Sequence, residues 1–229
     1  MKLIHVFISL FFTISLISCD KDETPQATAS VNIIHASPDA PGVDLLVDNL
    51  KVNTAALNFP DATGYLKVFT GTRNIKVNAA GTNNSVINAD LTFMADKYYS
   101  VYAYNRLASI GAFMVEDNLT APASGQSHIR FFHLSPNAPS VTVGTLSGTT
   151  FTPVFVNRSF ETQTTASANQ NFTPVPAGTY TFDVQANGSS VLNLPNIMLQ
   201  AGKIYTVFAK GLVNGSGSQA LGAQIVTHN

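Results

Sequence analysis

Cysteine, tryptophan and charge are what this 229-residue chain has least of: one Cys, no Trp, and 11% charged residues with a formal net charge of −1. A single thiol cannot close a disulfide within the chain, so any folded part must stand on packing alone. A net charge near zero without a basic cluster excludes a nucleic-acid face, because displacing counterions requires Lys and Arg gathered on one surface. No second His or Cys stands at ligand spacing from a first, so no metal or other cofactor is expected. Long apolar runs are also missing, with one exception. Residues 3–17 follow Lys2 and are apolar except for His5, Ser9, Thr13 and Ser15. Such a run is shorter than the roughly 20 residues a bilayer crossing needs, and it suits the core of a secretion signal.

The run ends in Leu16-Ile17-Ser18-Cys19, which resembles the lipobox of bacterial lipoproteins. That resemblance implies diacylglyceryl transfer to the Cys19 thiol, cleavage after Ser18 and acylation of the new amino terminus. Two or more acyl chains give lasting attachment, since each buried methylene contributes about 0.8 kcal/mol. The alternative is an ordinary signal with a chance cysteine. Next come Asp20, Lys21, Asp22 and Glu23, which resemble the surface-export signal of Bacteroidetes lipoproteins. Their plainer reading is the solvated start of a tether. The expectation is a signal peptide at 1–18, a lipidated tether at 19–30, and an outer-membrane lipoprotein on the cell surface or, failing that, on the periplasmic face. The membrane is then a partner through the lipid.

What the chain has in plenty is repetition. Val31-Asn-Ile-Ile-His35-Ala-Ser37-Pro38-Asp39-Ala40-Pro41 is echoed by Ile129-Arg-Phe-Phe-His133-Leu-Ser135-Pro136-Asn137-Ala138-Pro139. Blocks around Gly71-Thr72 and Lys97 recur at Gly178-Thr179 and Lys203, in the same order. The wider spacing in the second copy points to an insertion within 149–171. Two related modules are expected, at 31–117 and 128–229, with a linker at 118–127 marked by Pro122, Ser124 and Gly125.

Periodicity gives their class. Thr179-Tyr180-Thr181-Phe182-Asp183-Val184-Gln185 alternates polar and apolar, the pattern of a half-buried strand. Turn pairs such as Asn187-Gly188 and Ala201-Gly202 punctuate the chain, and no 3.6-residue period appears after the leader. An all-β fold of two tandem antiparallel sandwiches, immunoglobulin-like or transthyretin-like, is predicted. The doubled His-x-Ser-Pro-(Asp/Asn)-Ala-Pro resembles the bacterial DUF4397 family of extracytoplasmic proteins. The resemblance implies a sandwich fold and no active site.

Three residue sets tempt a functional reading. His35, Ser37 and Asp39 hold the residue types of a triad, but i and i+2 on a strand stand about 6.5–7 Å apart, too far for a base–nucleophile bond. Asn137 replaces the acid in the second copy, which points instead to a side-chain oxygen closing an Asx-turn, with prolines at 38, 41, 136 and 139 fixing the corner. Asp39, Asp44 and Asp48 do not match a calcium loop; Asp44 and Asp48 are expected on a solvent face. Tyr98, Tyr102 and Tyr104 share one face of a strand and form either a platform for glycan contact or a surface packed on the other module. The function expected is non-catalytic binding or scaffolding, with a glycan or an envelope protein as partner. A hydrolase with an unmarked site is the alternative.

Overall fold

The computed structural model describes residues 26–228. Cys19, Lys21, Asp22 and Glu23 lie outside the described residues. The first half contains β1 (Thr28–Ala36), β2 (Val43–Val47), β3 (Leu50–Lys51), β4 (Ala62–Phe69), β5 (Gly71–Ala79), β6 (Ser85–Phe93), β7 (Tyr98–Tyr104) and β8 (Gly111–Glu116). The second contains β9 (Gln126–His133), β10 (Val141–Ser147), β11 (Thr150–Arg158), α1 (Gln163–Ala168), β12 (Thr173–Pro176), β13 (Gly178–Ala186), β14 (Ser189–Leu199), β15 (Ile204–Lys210) and β16 (Gly222–Thr227). Hairpins form where the sequence allows left-handed backbone. Asp48 and Asn49 (φ 50° and 68°) join β2 to β3, and Asn187-Gly188 (φ 50° and 77°) joins β13 to β14.

The strands make four sheets. One has the order β4-β1-β7-β8 and recurs as β12-β9-β15-β16; the other, β3-β2-β5-β6, recurs as β11-β10-β13-β14. Each half is therefore a sandwich of the same topology, all-β as predicted. Most pairings are antiparallel, but β1 runs parallel to β7 and β9 parallel to β15. One helix also departs from expectation. Thr162 caps α1 by accepting from the Thr165 N–H while the Thr165 side chain reaches back to the Thr162 backbone, a local device that hydrophobic periodicity does not register. It lies within the stretch predicted to hold the insertion.

The two sandwiches stack, giving four layers and three apolar cores. Val31, Leu45, Val77 and Val101 fill the first sandwich. Phe131, Val143, Phe182 and Val207 fill the second. Between them Ile34, Tyr102 and Phe113 meet Phe132, Phe208 and Val226. The β4-β1-β7-β8 sheet and its counterpart are thus buried on both faces, which explains the near-continuous apolar runs of β1, β7, β9 and β15. Repeat-equivalent residues touch across the seam: the Tyr102 and Phe208 rings lie 6.2 Å apart, and Tyr102 also meets Phe132 edge-on at 5.3 Å. A pair of related surfaces packing through equivalent positions has the logic of an isologous dimer, here within one chain.

Phe132 is fully buried at this seam. Phe132→Ala should lower unfolding stability by about 3–5 kcal/mol, read as a shift in urea midpoint with an unchanged slope.

Candidate functional site

Four pairs of repeat-equivalent positions meet at one end of the seam, and in each pair the residues have diverged. They are Asn32 and Arg130, Tyr65 and Phe172, Ser100 and Thr206, and Asp117 and His228. The backbone fixes the last correspondence: the Asp117 N–H donates to the Tyr98 carbonyl, and the His228 N–H donates to that of Ile204. Arg130 is fully buried on β9, within an otherwise apolar run. Its guanidinium donates through one terminal nitrogen to Asp117 Oδ1, through Nε to Thr206 Oγ1 at 2.8 Å, and through the other terminal nitrogen to the Gln170 carbonyl at 3.2 Å. It is sandwiched by the rings of Phe172 (4.4 Å) and Phe132 (5.0 Å). Asp117 Oδ2 accepts from Tyr65 and from Ser100, each at 2.7 Å.

These contacts assign the protons. The single hydroxyl proton of Tyr65 goes to Asp117, so the 2.8 Å contact between Tyr65 and His228 Nδ1 requires the imidazole to donate. In a neutral imidazole that carries its proton on Nδ1, Nε2 accepts, so the Thr206 hydroxyl donates to it at 2.7 Å while accepting from Arg130 Nε. The result is a closed circuit: Arg130 to Thr206 to His228 to Tyr65 to Asp117, and from Arg130 to Asp117 directly. Each of the five side chains has a partner in the circuit when His228 is neutral. Burial is the main reason that the pKa of His228 drops from 6.5 to about 4; Arg130 adds to the drop and Asp117 opposes it. Burial, then the neighbouring Asp117, raises that of Tyr65. Burial, the largest single influence, works against the charge of Arg130, but Asp117 and Tyr102 together outweigh it and hold the guanidinium above its ordinary pKa.

A polar cleft of about 1040 Å³ opens beside this circuit, with Lys97, Tyr98, Glu116, Asn118, Asp117 and His228 among its walls. Among the described residues no group of three His, Cys, Asp or Glu converges to hold a metal ion.

The tyrosine face is covered. Tyr102 is 0% exposed in the seam, and Tyr104 packs on Phe113 and on Phe160 of the second sandwich. Tyr104 is half-buried, and Tyr98, 39% exposed, has its ring edge-on to Tyr65. An open platform of three tyrosines is therefore excluded, because the second sandwich occupies that surface.

The repeated motif forms matching corners. His35 Nε2 donates to the Pro41 carbonyl at 3.0 Å and His133 Nε2 to that of Pro139 at 2.9 Å. Ser37 and Ser135 are both buried, and Ser135 donates to the Gly211 carbonyl at 2.8 Å. Pro38 and Pro136 lie in the turns that follow β1 and β9. Asp39 and Asn137 use a side-chain oxygen, but not in their own turns: Asp39 accepts from the Leu107 N–H at 2.7 Å and Asn137 from the Val213 N–H at 2.9 Å. Each pins the loop that follows β7 or β15. Asp44 lies on the outer face of β2, opposite the core residues Val43 and Leu45, but is covered there. It is nearly buried, ion-paired to Lys51 at 2.8 Å and bonded by the Gly81 N–H, and the Lys51 contact lowers its pKa.

The circuit escaped the sequence reading, although it left a signal. Asn32, Ser100, Arg130 and Thr206 interrupt apolar runs at positions that the repeat makes equivalent. Asp117 and His228 lie just past the strands, where alternation gives no guidance.

Two consequences can be measured. Asp117→Asn leaves the buried Arg130 uncompensated and should cost about 3–5 kcal/mol in chemical denaturation, whereas Arg130→Met combined with Asp117→Leu should recover most of it. The pKa of folded His228 lies below its unfolded value, so the unfolded chain binds the extra proton between pH 6.5 and about 4, and stability falls as pH drops through that window. The loss should approach roughly 3 kcal/mol at its acid end. The pKa values of His35 and His133, also lowered by burial, add in the same sense, so His228→Gln should shrink the pH dependence of the urea midpoint without abolishing it.

A search of the curated proteins finds no match. The family model described as "Domain of unknown function (DUF4397)" matches residues 29–144, just over half of the chain, spanning the first sandwich, β9 and the start of β10. The chain belongs to the DUF4397 family.

Proposed function

We propose that this chain is a lipid-anchored envelope or cell-surface protein of Bacteroidetes type, whose stacked sandwiches act as a rigid, non-catalytic binding or scaffold body. The observation that carries the reading is the closure of the buried circuit. Arg130, Thr206, His228, Tyr65 and Asp117 are hydrogen-bonded to one another, and Gln170 and Ser100 take up further bonds of Arg130 and Asp117. A catalytic acid or base needs a lone pair or proton left over for substrate, whereas a set that is mutually satisfied fixes geometry. The lipobox ending in Cys19 and the following Lys21, Asp22 and Glu23 support the address. The recurrence of both sheet orders supports reading the second sandwich as another copy of the family domain. Glycan contact is retained only at the cleft that Tyr98 lines with Lys97, Glu116 and Asn118.

A hydrolase is the second reading, favoured by one fact: Asp117 and His228 are both in the wall of that cleft. Ester and glycoside hydrolysis by the purified chain, lost in His228→Ala, would favour it.

The primary reading is tested in cells. Wild type should incorporate an alkyne-tagged fatty acid and partition into detergent, and Cys19→Ala should do neither. Equal labelling of the two, or a freely soluble wild type, would contradict the anchor. Protease accessibility on whole cells then separates surface from periplasmic display.

A further inference from the structure

The two halves treat their exposed sheet edges differently. In the first sandwich β8 is the edge of its sheet, and the insertion in the second sandwich covers it. The Gln163 side chain accepts from the Met114 N–H and donates to the Met114 carbonyl, both at 2.9 Å, and Gln170 accepts from the Glu116 N–H at 3.2 Å. Carboxamides here take the place of a neighbouring strand.

The counterpart of β8 is β16. Met114 and Ile225 lie opposite Val101 and Val207, and Glu116 and Thr227 lie opposite Tyr99 and Tyr205. The His228 N–H is bonded to β15 through the Ile204 carbonyl, so alternation turns the backbone groups of Thr227 and Ile225 away from β15. Among the described residues no hydrogen bond reaches these outward groups. In their place is an open groove of about 850 Å³, lined by Leu57, Pro60, Asp61, Gly64, Gln224 and Thr227. The reason lies in the chain. Before β12 the second half carries α1 and its flanking turns, whereas the first half passes straight from Pro60 and Asp61 into β4. Asp61 is exposed and, among the described residues, is the one charged residue on the groove.

We propose that the outer edge of β16 docks an extended peptide from a partner protein, which adds as a fifth strand beside Ile225 and Thr227 and carries a basic side chain toward Asp61. An unpaired edge is a template for strand addition, in which main-chain bonds supply affinity and side chains supply selectivity. The insertion's amides on β8 show, within the same molecule, what chemistry fills this position. The proposal rests on the non-catalytic binding reading and gives it a site and a class of ligand.

The test uses the full chain in detergent and a short Thr/Val peptide bearing one Lys, N-methylated on alternate amides so that only one of its edges can pair. In the free chain, Ile225 and Thr227 amides should exchange with solvent at least about tenfold faster than those of Met114 and Glu116. Saturating peptide should slow Ile225 and Thr227 by about tenfold and leave the other two unchanged. Thr227→Pro, which removes an outward N–H and no ladder bond, should weaken binding by about tenfold or more, while Thr227→Ala should retain it. Asp61→Lys, on an exposed side chain, should weaken binding about threefold and guards against misfolding of the proline variant. Unchanged exchange at Ile225 and Thr227, or equal binding by both variants, overturns the proposal. So does protection that rises with chain concentration without peptide, since a second copy would then own the edge. Neither acylation nor turnover is read by this titration, so its failure removes the docking edge and leaves the anchored-scaffold reading standing.

Discussion

The structure depends on two sheets being buried on both of their faces. A sandwich normally leaves the outside of each sheet to water, and its strands alternate accordingly. Here β1, β7, β9 and β15 carry apolar side chains on both sides, so neither half could be exposed alone without presenting Ile34, Tyr102 and Phe113, or Phe132, Phe208 and Val226, to solvent. Apolar packing supplies the affinity between the halves, but it is tolerant of small slips. The hydrogen-bonded circuit around Arg130 and Asp117 is not: it needs Arg from one half and Asp and Tyr from the other, at hydrogen-bond distance. A buried pair of this kind adds little net stability compared with a hydrophobic replacement, but it is satisfied only in one register of the two halves.

The circuit also shows how duplication becomes assembly. The ion pair joins non-equivalent positions, Arg130 of one half to Asp117 of the other, and its symmetry mate would join positions 32 and 228, where Asn32 and His228 stand instead. Divergence of Arg130 from Asn32, and of His228 from Asp117, makes the halves unequal. The same asymmetry appears in the loops: the second half has an insertion that covers β8, and the first half has none that reaches β16.

Much of this was legible in the residues. The repeat, the strand class and the turn positions follow from alternation and from Asn-Gly and similar pairs, and the outer strand Thr179 to Gln185 alternates as a half-buried strand should. The inner strands were visible as runs without alternation, Ile129 to Leu134 above all. That pattern is compatible with burial on both faces, but for Tyr98, Tyr102 and Tyr104 it left both a glycan platform and a packed surface open. What was not legible is what closes the seam. Pairing Arg130 with Asp117 requires knowing that β9 and the end of β8 approach one another, a long-range fact that no local periodicity contains. Helix α1 was hidden for a different reason, since its six residues are set by a Thr cap and bury only Ala166.

The central claim, that the two sandwiches form one cooperative body, is tested most directly by calorimetry of the chain from residue 26 onward. A single transition, with calorimetric and van't Hoff enthalpies in agreement, is the result the account predicts. Two resolved transitions, or an enthalpy ratio near two, would mean that each half folds without the other, and the seam would then be a contact instead of a core.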